Sequence, residues 1–151
     1  MEEEVFVLAG RGQRLGGALL DSLIAIVVSV PVMFVAGVFK QIANGEAMTL
    51  GQKAFFFVFG LVVFLVINGY LLAKRGQTVG KMIAGTRIVS HETGQILSLG
   101  RVFCLRLLPL SIIGQIPFIG GLFALVDTLF IFRQDRRCIH DLIAGTTVIK
   151  A

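Results

Sequence analysis

Long apolar runs separated by short charged stretches organise this chain. Residues 15–39 and 54–73 are almost continuously apolar. Each reaches the roughly 20 residues that a helix needs to cross a bilayer. A third apolar region, 102–132, is too long for one ordinary span. It is interrupted by Pro109, Gly114, Pro117, Gly120 and Gly121, residues that break a helix or let it turn. It reads as two shorter spans, 102–114 and 118–132. A surface helix followed by a single span is the rival reading. The polar segment 74–101 contains "TRIVS-HETG-QILSL", which alternates around a turn and predicts a β-hairpin. "TTVIK" near the C-terminus and "VFVL" near the N-terminus are further strand candidates. The pattern predicts an all-α membrane protein. One domain over 1–151 holds a bundle of about four transmembrane helical elements and a small cytoplasmic β-hairpin.

Composition strengthens this picture. Hydrophobic residues make up 56% of the 151 and charged ones 15%, against about 45–50% and 25% in an ordinary soluble domain. The net charge of +5 is therefore read as a topology signal, and no nucleic-acid partner is expected. Placing the N-terminal arm, segment 74–101 with Arg106, and the tail on one side gathers twelve of the basic residues there. Only Lys40 and Lys53 lie on the other. Basic residues collect on the cytoplasmic side. The expected location is thus the plasma (inner) membrane, multi-pass, with both termini cytoplasmic. The opening "MEEEV" lacks the cationic start of a signal peptide. Cys104 and Cys138 show neither zinc spacing nor a disulfide framework, so no metal and no cofactor are expected.

The informative residues are the polar ones inside the apolar runs. Asp21 follows Arg14 by seven residues, two helical turns or about 10 Å along the axis, on a face with Gly17, Ala18 and Ala25. Small residues are what a helix presents to a close neighbour in a membrane. Asp127 lies on the face of Gly120, Ala124 and Thr128, with Arg133 beyond it. Asn68 falls at a similar depth, six residues before Lys74. Such groups are expensive in a bilayer and mark function by default. Two readings stand side by side. Asp21, Asp127 and Asn68 bind an ion or proton, or Arg14, Arg106 and Arg133 neutralise the aspartates as buried helix–helix ties.

Arg14 and Asp21 in the pattern R-x6-D, together with "GQTVGKMIAGTRIV", "G-x-x-LS-x-GR" with Arg106 after it, and "RRCIHDLIAGTTVI", resemble the RDD family of small membrane proteins. The likeness spans nearly the whole chain. Asp127 and Asp141 are both candidates for the family's second aspartate. The resemblance implies a polytopic helical fold in a bacterial-type plasma membrane. It implies function only loosely, through suspected transport and a link to sodium/proton antiport.

"RGQTVGKM" falls one residue short of a P-loop and has Met82 where Ser or Thr should hold magnesium. Thr78 reads instead as the N-cap of a short helix, with Lys81 facing lipid headgroups. His140 and Asp141 read as a structural pair at the cytoplasmic face, and His91 as a solvated turn residue. Arg133, Arg136 and Arg137 suit anionic lipid phosphates. No nucleophile–base constellation points to an enzyme. "IAGT" occurs at 83–86 and again at 143–146. Gly85 and Gly145 are read as helix-ending residues, each followed by a strand on the same face of the membrane.

The expected function is a transporter-like protein moving a monovalent cation, with proton coupling. Asp21 and Asp127 are the ion or proton sites, Asn68 a neutral oxygen ligand, and Arg14 a competing charge. The alternative is a non-transporting scaffold or assembly factor whose cytoplasmic element binds a partner. So short a bundle is expected to form a homo-oligomer.

Overall fold

The structure, a computed structural model, describes residues 7–151. Two long helices dominate, α1 (Arg11–Val35) and α3 (Leu50–Arg75). Both are long and apolar enough to cross a membrane. Helix α1 starts and stops four residues earlier than the apolar run predicts. Gly37, at φ 72°, turns the chain into the short α2 (Val38–Ala43). Helix α3 starts earlier than predicted because Thr49 accepts from the Gln52 amide at 3.2 Å, while the Gln52 side chain bonds the Thr49 amide at 2.9 Å. This reciprocal cap satisfies the first-turn donors. Gly76, left-handed at φ 64°, ends it.

Apolar residues recur at i+3 and i+4 on the exposed faces of these helices. On α1 they include Leu19, Leu23, Val27 and Phe34, and on α3 Phe55, Val58, Val62, Val66 and Tyr70. That spacing makes a continuous apolar stripe along each helix.

The region 102–132 breaks where the glycines and proline predict. Helix α5 (Leu99–Val102) continues through a π-helical turn (Phe103–Leu107) into α6 (Leu108–Ile113). Pro109 has no N–H to give to the preceding turn, and the wider π turn just before it accommodates its ring. A bend over 114–118 leads into α7 (Ile119–Leu129), extended by a 3₁₀ turn (Phe130–Phe132). Gly120 packs on the Gly114 backbone so closely that an added Cβ would lie 2.7 Å from the Gly114 oxygen. Neither α6 nor α7 has the length of α1 or α3.

The small sheet is present, but its pairing differs from the predicted hairpin. Strand β1 (Thr86–Ser90) pairs antiparallel with the C-terminal β2 (Thr146–Lys150), and it meets 95–99 only where the turn closes, the Ser90 amide donating to the Gln95 carbonyl at 2.8 Å. The reason lies at the other edge of β1. The Ile88 amide donates to the Gly76 carbonyl at 2.7 Å, and the Gln77 side chain donates to the Thr86 carbonyl at 2.9 Å. That edge is therefore occupied by the segment after α3. The candidate strand "VFVL" adds to the far edge of β2 where it is described. The Ala9 amide donates to the Val148 carbonyl at 3.1 Å and the Lys150 amide to the Val7 carbonyl at 2.9 Å. Val5 and Phe6 lie outside the described residues.

Each strand follows a short helix, α4 (Val79–Ile83) before β1 and α8 (Ile139–Ala144) before β2. Gly85 at φ 64° and Gly145 at φ 65° make both transitions. Ala9, Leu72, Ile88, Val102 and Val148 form the buried core between the sheet and the ends of α3 and α5.

Candidate functional site: a buried charged layer under the sheet

The short helices α4 and α8 expose amide groups at their N-termini that need acceptors. For α4 these come from the long helices. Thr78 caps it, accepting from the Lys81 amide at 3.2 Å. Asp21 of α1 accepts from the Gly80 amide at 2.8 Å and from the Thr78 hydroxyl at 2.5 Å. Asn68 of α3 accepts from the Val79 amide at 2.9 Å. Two of the three predicted ion ligands thus converge, and they do so on the start of α4.

The small-residue face of α1 has the same destination. Gly17 lies against the backbone of Gly80 and Lys81, and a Cβ on it would come within 3.3 Å of the Gly80 oxygen. The face predicted to meet a bundle helix meets α4.

The third ligand, Asp127 of α7, goes to α8. One of its oxygens accepts from the His140 amide at 3.0 Å, and the other lies 2.6 Å from His140 Nδ1. Burial, with Arg106 adding to it, pushes His140 below its ordinary pKa, so the ring is neutral at pH 7. The short contact then fixes the tautomer with the proton on Nδ1, donated to Asp127.

Asp141 sits at the centre. Its side chain is fully buried, between the guanidinium groups of Arg14 from α1 and Arg106 from the π turn. Thr146 adds a hydrogen bond at 3.0 Å, and the Cys138 amide another at 3.2 Å. Burial alone would raise this carboxyl, but Arg106 and Arg14 outweigh it and hold the group well below the usual carboxylate range.

Arg14 and Arg106 are therefore partners of Asp141 and not of Asp21 or Asp127. Arg133 stands apart, half-exposed, paired with Asp135 at 3.3 Å. His140 and Asp141 are adjacent in sequence, but their strongest partners lie on different helices. Arg137 donates to the Thr146 carbonyl at 3.0 Å and Arg136 to the Ala9 carbonyl at 3.0 Å, so both tie the tail to the sheet.

Asp127, Cys138 and His140 offer ligand atoms within 4.8 Å of one another. Two of the three are tied by a hydrogen bond, His140 Nδ1 to Asp127 at 2.6 Å, and burial, helped by Asp141, pushes the Cys138 thiol up to about 11.

Two cavities open on this layer. One, of about 240 Å³, is bordered by Arg14, Asp127 and Cys138. The other, of about 280 Å³, is bordered by Asp21, Ser22 and Thr78. Ala18, Lys81, Arg106, Leu110 and His140 line both. Lys81 thus faces the cavities, and the expectation that it points at headgroups is corrected. With five residues α4 has no readable periodicity, so its inward side was not legible in the sequence. The Arg14–Asp141 pair spans 127 positions, and its only trace in the sequence was the candidacy of Arg14 as a charge partner.

Comparison with known proteins places this architecture. The sequence pattern of the RDD family matches residues 8–145. The uncharacterized protein YckC of Bacillus subtilis (strain 168) is 35% identical over 147 residues, covering 97% of this chain and 87% of that protein. An uncharacterized protein of Haemophilus influenzae is 29% identical over 116 residues, covering 76% of this chain and 69% of that one. No solved structure matches. By the extent of this match the chain belongs to the RDD family.

Proposed function

We propose that the protein is a multi-pass carrier in the plasma membrane that exchanges a monovalent cation for protons at the buried charged layer. The observation that carries this reading is the pair of neighbouring cavities with shared lining residues. Asp21 opens on one and Asp127 on the other, with Lys81, Arg106 and His140 between them. Carboxylates, a neutral histidine and a lysine around a cavity are the parts that proton-linked transport uses.

In this reading 99–113 and 119–132 cross the bilayer as a hairpin, and both termini are cytoplasmic. Leu122, Leu125 and Leu129 make an exposed apolar stripe on α7 like those of α1 and α3, as lipid contact requires. The grouping of twelve basic residues on one side supports the same topology. A second copy of the chain would cover part of the exposed faces of α1 and α3.

The test is cation-driven proton movement in proteoliposomes. Wild type is expected to exchange, and Asp21→Asn and Asp127→Asn to lose most of the flux. Unchanged flux in both variants would overturn the proposal. The scaffold reading attaches to the exposed turn at His91, Glu92 and Thr93. It predicts that replacing Glu92 and Thr93 by alanine abolishes function in cells while proteoliposome flux is intact.

A further inference from the structure

We infer that the cavity between α1 and α7 binds an anionic phospholipid, its phosphate held by Lys81 and Arg14 and its acyl chains leaving past Ala18 and Ala124. Of the reading above, this needs only that α1 and α7 lie in the bilayer. It does not need exchange.

Donors without acceptors are the first support. The cavity of about 240 Å³ is bordered by three cations, Arg14, Lys81 and Arg106, and by one carboxylate, Asp127. Both Asp127 oxygens are taken by His140. Asp141 is taken by the two arginines. Asp21 borders the other cavity, held by the Gly80 amide and the Thr78 hydroxyl. Every carboxylate thus has its donors, but not every donor has an acceptor. Arg14 is only 7% exposed, and its Nη1 is buried with no hydrogen-bond partner among the described residues. Lys81 has no ion pair among them. A buried donor left unpaired is costly. A phosphate brings several acceptor oxygens at once, and both arginine and lysine bind it well.

The walls are the second. Leu15, Ala18, Leu110, Ala124 and Ile131 make the rest of the lining largely apolar. Leu15 and Ala18 on α1 and Ala124 and Thr128 on α7 are exposed. In the membrane placement the cavity therefore opens sideways on lipid. Ala18 and Ala124 present only methyl groups there, which leaves room for a chain. A free phosphate would gain nothing from such walls.

Depth is the third. Helix α1 has 25 residues, about 37 Å at 1.5 Å per residue, against a hydrocarbon core of about 30 Å. Arg14 is the fourth residue of that helix. It therefore lies where the hydrocarbon meets the headgroups, the depth of a lipid phosphate. Basic pockets between membrane helices on the cytoplasmic side bind anionic headgroups in this way. Lys81 does not reach out to the surface, so the phosphate comes in to it. A zwitterionic headgroup would bring its ammonium toward three cations.

The test is lipid retention by the purified full-length protein at pH 7. Native mass spectrometry would compare phosphatidylglycerol with phosphatidylcholine of identical chains. Wild type is expected to hold phosphatidylglycerol about tenfold more tightly, the size of one charge-assisted hydrogen bond. Lys81→Gln should remove most of that preference. Lys74→Gln, at an exposed position near the end of α3, should leave it. Ala124→Leu, which fills the groove, should weaken retention of both lipids. Inorganic phosphate in large excess should displace neither. Equal retention of the two lipids by wild type, or a wild-type preference in Lys81→Gln, overturns the inference. Displacement by inorganic phosphate, with Ala124→Leu behaving as wild type, makes the ligand a free phosphate and also overturns it. None of these results touches the exchange reading. Release of the wild-type protein from membranes by alkaline carbonate would sink the membrane placement and this inference with it.

Discussion

The segments 78–90 and 138–150 are two builds of one local design. Each starts at an N-cap residue, runs through a short helix, turns at a left-handed glycine and leaves as a strand. In each, the second helical amide is accepted by an aspartate from an apolar helix, Asp21 of α1 for Gly80 and Asp127 of α7 for His140. In each, the threonine after the glycine turns back toward the third helical carbonyl, Thr86 to Lys81 at 3.4 Å and Thr146 to Asp141 at 3.5 Å. The two strands pair with each other. The residue after each strand donates to the other unit's glycine, His91 to Gly145 and Ala151 to Gly85, both at 2.9 Å. The difference falls at the third helical position. There α8 carries Asp141, clamped by two arginines, and α4 carries Lys81, with no ion pair among the described residues. One backbone arrangement thus carries a clamped carboxylate in one copy and a lysine outside any ion pair among the described residues in the other.

The largest way to break the comparison is to unclamp the fixed copy. Asp141→Asn keeps the shape and removes the counter-charge of two buried arginines. Breaking such a pair costs about 3–5 kcal/mol. Thermal unfolding in detergent should show a large drop, and no comparable drop should follow Lys81→Met at pH 7. Equal losses would mean that Lys81 is as firmly paired as Asp141.

The next effect separates the copies by pH. Lys81 binds its proton more weakly when folded than when unfolded, because burial and then Arg106 push its amine down to about 8 from the ordinary 10.5. Between those values the unfolded chain holds a proton that the folded chain has released. Stability therefore rises with pH across that window, by roughly 2–3 kcal/mol at most. Denaturation measured at pH 7.5 and pH 10 should show the rise in wild type and a much smaller one in Lys81→Met. The Asp141 carboxyl, held well below its usual range, contributes no slope there. A rise that survives unchanged in Lys81→Met would assign it to another group.

What the sequence showed of this design was the part written locally. Glycine after a short apolar helix and before β-branched residues reads as a helix end and a strand start, and both "IAGT" units behave so. Thr78 as an N-cap was legible for the same reason. The partners were not, because they depend on which edges and faces other segments leave free. "QILSL" has a good strand pattern, yet the edge of β1 that it would pair with is taken by Gly76 and Gln77. Asp21 and Asn68 were visible as polar groups at one depth, but their common partner is a backbone amide row, which no side-chain pattern reveals. Asp141 looked like half of a local pair with His140, whereas its charge partners lie 127 and 35 positions away.

A smaller effect tests the close packing that is peculiar to the first copy. Gly80 lies so near α1 that a Cβ would run into the Gly17 carbonyl and come 2.8 Å from the Asp21 carboxyl. Gly80→Ala should cost about 1–3 kcal/mol, as overpacking does. It should also loosen Asp21 from Thr78. The matching position in the second copy already carries the His140 ring, so His140→Ala removes a hydrogen bond worth about 1 kcal/mol without a clash. Gly80→Ala at wild-type stability, in unfolding curves run beside His140→Ala, would mean that α1 and α4 stand further apart.

The smallest effect concerns what the copies share. A Cβ at Gly85 meets nothing within 4 Å, and one at Gly145 meets only Arg101 Nη2 at 3.6 Å. Space is therefore no obstacle at either site. The cost of alanine is that of the left-handed conformation itself, about 1–2 kcal/mol for an L-residue. Gly85→Ala and Gly145→Ala should each lower stability by that amount and by the same amount within error. Asparagine, which tolerates the left-handed region better, should restore part of it at both. Unequal losses would show that one turn is free to change its conformation and the other is not, and the two units would then be alike in sequence but not in mechanics. Equal losses would leave Lys81 and Asp141 as the positions where two matching scaffolds diverge.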